Sequence, residues 1–392
     1  MSTATDSPEL LPRPEPQEFV DREVVPTPGR LRRLRNFVAS VAEWLFGLGS
    51  LMLGLAILGS VPIGQFLVLG YLLECSGRVA RSGRLRDGFI RVRTFAQLGG
   101  IAVACGLLWL PLYFMSIFAE NAAIIDPYGP AAKQWKLGLT VLAVLYTLHV
   151  AAALLRGPRF RDFLRPLNVV WLVRRGFRGG LYSEARDRLW DFVVSLRLPY
   201  YFWFGLRGFV GAFLWLVIPL ALLGNGHRNP ALGVLGGLLL AVVVLYLPFL
   251  QTRFARDDRF RAFRELWIVR HQFRKAPIAF ALALVIHLLV ALPLYLLKIE
   301  AIPRDLIFLE GVVFLAFIFP ARLIDGWAYS RPERREKPRH WLIRWACRLI
   351  VLPAVAAYVL VVFASQHIGW AGISSLYQQH AFLLPVPFVN WK

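Results

Sequence analysis

The sequence predicts an all-α, polytopic transmembrane helical bundle. Three observations carry this. Mean hydropathy is +0.54, with 57 % hydrophobic and only 18 % charged residues in 392. Apolar runs near 20 residues long, the length that crosses a hydrocarbon core of about 30 Å, recur along the chain. The connections between them alternate between Arg-rich and nearly neutral. High hydropathy with few charges excludes a disordered chain. Three cysteines exclude a disulfide scaffold or a Cys-rich zinc site.

Residues 1–36 hold Pro8, Pro12, Pro14, Pro16, Pro26 and Pro28 and read as a disordered cytoplasmic tail closed by Arg30, Arg32, Arg33 and Arg35. The first apolar run, 37–75, is too long for one span and contains the breaker Gly59-Ser60-Val61-Pro62. It reads as a hairpin of two helices, with a re-entrant pair as the alternative. Further runs follow at 97–118, 137–155, 201–223, 231–251, 277–297, 305–324 and 343–364. The transmembrane domain therefore covers 37–364, in eight or nine spans. Residues 365–392 are too polar to span, and their aromatic residues suit an extracytoplasmic interfacial tail.

The basic residues set the orientation. The segments 76–96, 156–200, 252–276 and 325–342 are Arg-rich; 119–136, 224–230 and 298–304 are nearly neutral. With nine spans, 39 of the 45 basic residues fall on one side, leaving Lys133, Lys136, Arg228, Lys298, Arg304 and Lys392 on the other. The positive-inside rule then places the N-terminus in the cytoplasm and the C-terminus outside. Topology explains the net charge of +21 without nucleic acid, and the aromatic residues lie in or beside apolar runs rather than on a soluble basic face.

Internal repeats come next. RVARSGRLR at 78–86 matches RFARDDRFR at 253–261, and WLVRRGFR at 171–178 matches WIVRHQFR at 267–274. The outgoing runs share a late proline at Pro111, Pro219, Pro293 and Pro353. The pattern is that of parallel two-helix repeats joined by basic cytoplasmic amphipathic helices.

The strings GYLLE (70–74), LPYYFWFGLRGF (198–209), LPLYLLKIE (292–300), FPARLIDGWAY (319–329) and QQHAFLLPVPF (378–388) resemble a group of multi-pass membrane proteins of planctomycete-type bacteria whose function is unknown. The resemblance runs from about residue 40 to the end. It implies location in a bacterial inner membrane and implies no activity.

Ionisable residues within apolar runs are the candidates for function: Glu43, His149, Arg207, His287, Glu310, Arg344 and Arg348. His287 stands near the middle of its run. Glu310 lies on the following helix, and the two make a candidate intramembrane polar site. Asp325 reads as the first residue of a basic connection. There is no HExxH, GxSxG, Walker A or CxxC motif, so no catalytic, metal or cofactor site is read and the chain is taken as non-enzymatic. In 253–274, Ala262, Leu266, Val269 and Phe273 recur at helical spacing among arginines. That predicts an amphipathic helix lying in the membrane interface, with Arg253, Arg256, Arg259 and Arg264, and by repetition Arg78, Arg81 and Arg84, on anionic lipid headgroups. The functional expectation is a protein that organises lipid or an envelope complex, with a transporter using His287 and Glu310 as the alternative.

Overall fold

The computed structural model describes residues 29–157, 160–176, 179–299, 307–368, 376–377, 380 and 382–383. Every regular element among them is helical. The chain divides into Met1–Ala42 and a bundle, Glu43–Lys392. In the first unit the helix α1 (Arg30–Gly59) already begins at Arg30, so residues 30–36 are helical and not tail. The Pro-rich part of the expected tail lies outside the described residues.

The bundle is an all-α polytopic membrane domain. Among the described residues, eight helical segments are long and apolar enough to cross a membrane. They contain α1, α3 (Val92–Ile125), α4 (Pro130–Arg156), α8 (Leu198–Gly224), α9 (Pro230–Asp257), α11 (Pro277–Ala291), α12 (Ile307–Ser330) and α13 (Trp341–Ile368). The short α5 (Phe160–Phe163), α6 (Asn168–Gly176) and α7 (Leu181–Ser195) link α4 to α8.

A ninth helix, α2 (Pro62–Ser82), is long enough to span at 21 residues, about 32 Å. Its Glu74, Arg78 and Arg81 keep its hydropathy low. The segment 37–75 thus falls into two helices broken at Ser60 and Val61. Pro62 starts α2 at the position where a missing N–H does no harm.

Helix α2 is the centre of the bundle and packs on α8, α9 and α12. Small residues allow the approach. A Cβ on Gly70 would lie 1.9 Å from the Tyr201 carbonyl oxygen, and one on Gly205 would lie 1.9 Å from that of Phe66. Backbones in such contact replace the hydrophobic drive that lipid cannot supply between helices. Leu69, Leu72 and Leu73 of α2, Phe204 and Leu216 of α8 and Leu247 and Phe254 of α9 close the core. By contrast α3 and α4 pack mainly on each other and present Leu107, Phe114, Phe118, Leu137 and Val144 outward, as lipid-facing helices do.

The matched strings at 78–86 and 253–261 adopt the same local structure. Helix α2 ends at Gly83 (φ 71°), whose N–H donates to the Val79 carbonyl at 2.8 Å; α9 ends at Asp258 (φ 50°), whose N–H donates to the Phe254 carbonyl at 2.8 Å. Arg84 and Arg259 follow in extended conformation, and a 3-10 turn starts at Leu85 and at Phe260. The second copy then adds α10 (Leu266–Lys275), set off from α11 at Ala276. Pro111, Pro219 and Pro353 lie inside α3, α8 and α13, whereas Pro293 falls where α11 gives way to 3-10 geometry over Leu292–Ile299.

The stretch 253–274 is not one amphipathic helix. It comprises the end of α9, a 3-10 turn (Phe260–Arg264) and α10. Ala262 and Val269 are buried in the main core and Leu266 and Phe273 pack against it, so the apolar line faces the protein and not the membrane interface. The C-terminal stretch also departs from expectation. Leu376, His380, Phe382 and Leu383 are buried within the bundle; Trp370, Phe388 and Trp391 lie outside the described residues.

These contacts fix two outcomes. Gly205→Val should lower stability by roughly 1–3 kcal/mol, the usual penalty of overpacking, read as an earlier thermal aggregation midpoint in detergent. Gly83→Val should destabilise by about 1–2 kcal/mol because its φ is left-handed, while Asp258→Gly at the equivalent cap should be neutral or mildly stabilising.

Candidate functional site

Two regions gather the polar side chains of the bundle: a buried layer across α9, α11 and α12, and the Arg-rich ends of α2, α8, α9 and α12.

The buried layer is built from residues that hydrocarbon would otherwise leave unsatisfied. His287 of α11 and Asp325 of α12 are both 0 % exposed, and His287 Nδ1 meets Asp325 Oδ2 at 2.6 Å. Arg322, one turn before Asp325 and fully buried, donates from Nη1 to Gln251 Oε1 of α9 at 2.6 Å. Gln251 in turn donates from Nε2 to the Phe382 carbonyl at 2.9 Å. The Phe382 ring stacks on His287 with centroids 5.0 Å apart. Tyr295 and Tyr358 join by their hydroxyls at 3.0 Å, and Tyr358 also approaches His380 at 3.4 Å. These polar contacts and the Phe382 stack together tie α9, α11, α12, α13 and the C-terminal stretch to one another. Among the described residues, His287 Nε2 and Asp325 Oδ1 have no hydrogen-bond partner.

This layer corrects the expected pair. His287 bonds to Asp325, not to Glu310. Along α12, Glu310 is fifteen residues from Asp325, about 22 Å at 1.5 Å per residue. Asp325 was read as the start of a loop because an acid ends the apolar run, yet α12 continues to Ser330. The available signal was the spacing of Arg322 and Asp325, three apart, which puts opposite charges on one helical face. The layer also sits low: Asp325 is about 8 Å from the last residue of α12, towards the Arg-rich end.

At that end, most of the predicted headgroup arginines are engaged within the protein. Glu74 of α2 accepts from Arg78 Nε at 2.9 Å, from Arg81 Nη2 at 3.1 Å and from the Tyr200 hydroxyl at 3.2 Å. Arg81 also donates to the carbonyls of Ala255 and Arg256, each at 3.0 Å, at the C-terminus of α9. Those carbonyls are orphans at the negative end of a helix, where a cation belongs. Arg253 pairs with Glu265 at 2.5 Å and the Tyr329 hydroxyl at 3.1 Å. Arg256 pairs with Glu333. Arg207 meets Asp258 at 2.7 Å and lies over the rings of Phe204 and Phe254. Arg84, Arg259 and Arg264 are exposed, with Arg259 also 3.2 Å from Asp257.

His149, another intramembrane candidate, has a local partner. Its Nε2 lies 2.8 Å from the Phe163 carbonyl, and buried Asn168 bridges to Asp162 and Arg156, which fastens α5 and α6 onto α4. On these connecting helices Leu164, Leu167, Val170 and Val173 are exposed beside Arg161, Arg165 and Arg174. That is the interfacial amphipathic arrangement expected at 253–274, found one connection earlier.

Neither a family model, nor a curated protein, nor a solved structure matches the chain. Function must therefore be argued from these residues alone.

A double-mutant cycle separates the two pairings. His287→Ala and Asp325→Ala should couple by about 1 kcal/mol or more in thermal stability, as contacting buried polar residues do. His287→Ala and Glu310→Ala should be additive within roughly 0.5 kcal/mol.

Proposed function

We propose that the chain is a non-enzymatic multi-pass protein of a bacterial cytoplasmic membrane, N-terminus inside and C-terminus outside, that organises anionic lipid around itself. One observation carries the reading. After internal pairing, the cations still exposed at the Arg-rich end (Arg84, Arg264, Arg161, Arg174) lie in or next to short connecting helices whose neighbouring apolar side chains are also exposed. A surface that is apolar below and cationic above takes up the headgroup region of a negatively charged leaflet. The matched caps at Gly83 and Asp258 support a parallel repeat that presents such a surface more than once.

The alternative is a transporter. Its specific support is the His287–Asp325 pair, two ionisable groups buried among helices with one unpartnered atom each. Under that reading the coupling site is His287 with Asp325 and no longer His287 with Glu310.

Reporter fusions at residues 165 and 262 should read as cytoplasmic, and fusions at 128 and after Lys392 as periplasmic; a cytoplasmic C-terminus overturns the nine-span topology. For lipid, the triple change Arg84, Arg259 and Arg264→Gln should weaken enrichment of phosphatidylglycerol around the protein in mixed nanodiscs. The loss should reach up to roughly 3 kcal/mol and shrink as salt rises. Unchanged enrichment removes the lipid reading. Proton uptake by proteoliposomes that vanishes in Asp325→Asn would favour transport instead.

A further inference from the structure

One set of arginines at the basic end is treated differently from the rest. Arg78, Arg81, Arg207, Arg253 and Arg256 each have an acid partner. Arg270, Arg344 and Arg348 have none among the described residues. Arg348 is instead held between two rings, 5.7 Å from the Phe273 centroid and 5.2 Å from that of Trp345. Such stacking fixes a guanidinium in place and leaves its N–H fork free for an outside acceptor.

Two of these cations, Arg270 and Arg348, line a chamber. A lateral cavity of about 430 Å³ opens between α9, α11 and α13 under α10. Arg270 and Arg348 line it, together with Tyr246, Phe249, Leu284 and Trp345, and none of its lining residues is acidic. It runs from Trp345 to Leu352, about 10 Å along α13. Leu352 also lines a second cavity, of about 670 Å³ and wholly apolar lining, between α9 and α13 further from the basic end. An apolar slot two chambers deep, with unneutralised guanidinium groups at one end only, has the polarity of a single lipid molecule.

We propose that this chamber is a binding site for one anionic phospholipid, its phosphate on Arg270 and Arg348 and an acyl chain along Phe249, Leu284 and Leu352. The inference rests on the lipid reading above and adds a discrete site to it. Charge decides the occupant. A zwitterionic lipid offers the same phosphodiester but brings a cation of its own, so its net charge offsets neither guanidinium. A second copy of the chain, seated symmetrically, would bring its own Arg270 and Arg348 against these. A phosphodiester supplies the bidentate acceptor geometry that a guanidinium fork matches.

The test uses the full chain in phosphatidylcholine nanodiscs carrying a minor fraction of phosphatidylglycerol with a photoreactive acyl chain, and mass spectrometry of the cross-linked peptides. The expected adducts fall on 245–249, 280–284 and 345–352. Arg270→Gln with Arg348→Gln should lower their yield about thirty-fold at limiting probe, the equivalent of about 1 kcal/mol per cation. Mapping in the unaltered chain needs no variant, so misfolding of the double variant does not blunt the test. Equal labelling by the matching phosphatidylcholine probe overturns the anionic site, as does a chain-to-chain cross-link through the same residues. If phosphatidylglycerol is enriched but labels other segments, the discrete site fails and the general reading stands. If it is not enriched at all, the general reading fails first.

Discussion

Glu74 is the group on which the bundle turns. A carboxylate buried among the helices of a membrane bundle is stable only where cations and hydroxyls reach it. Arg78 and Arg81 come from the same helix, and Tyr200 from α8. Arg81 then extends to the last carbonyls of α9. One buried acid thereby sets the register of three helices at their basic ends. It also forces α2 inward. A helix that carries Gln65, Glu74, Ser76, Arg78 and Arg81 cannot face lipid, so α8, α9 and α12 must surround it, and Gly70 and Gly205 let them come close enough.

The same rule explains the second polar layer. Ser76 and Thr252 meet at 3.2 Å across α2 and α9, and one residue further round α9 Gln251 takes the Arg322 guanidinium. Polar side chains on adjacent helices satisfy each other at one level, and apolar packing resumes on either side. The positive charge of the chain therefore divides into separate uses. Some arginines neutralise buried acids and some cap helix ends; those left without an acid partner among the described residues, the ring-stacked Arg348 included, are the ones that can act on lipid. A count of basic residues per loop bears on the expected orientation but does not sort these uses.

Much of the architecture was legible. Each apolar run became a helix, the breaker at 59–62 separates α1 from α2, and the matched strings at 78 and 253 share their caps. What was not legible has a common cause. Periodicity shows that Ala262, Leu266, Val269 and Phe273 lie on one face, but protein interior and lipid are equally apolar, so it does not show which of them covers that face. The connection at 160–176, with the same kind of pattern, has its exposed leucines and valines where α4 leaves them uncovered. Sequence spacing likewise put His287 at a depth without naming its neighbour. The sequence reading places Asp325 at the start of a basic connection, whereas a buried histidine and arginine offset its charge and the helix continues past it.

The buried layer and the surface arginines also bear differently on function. For His287 and Asp325 to move a substrate or a proton, the helices that carry them must part and admit water. Both side chains are fully buried, with the Phe382 ring laid against His287 and the contacts of Gln251 and Arg322 spanning α9, α12 and the C-terminal stretch. Next to them α2 and α8 meet backbone to backbone, a contact that resists sliding because neither chain has side-chain atoms to rearrange. An opening would break several buried hydrogen bonds at once, each of which is costly where no water replaces it. The guanidinium groups of Arg270 and Arg348, without an acid partner among the described residues, need no such opening: they line a chamber already open at the side of the bundle, and under the proposal an anionic headgroup would complete their hydrogen bonding without disturbing the packed centre.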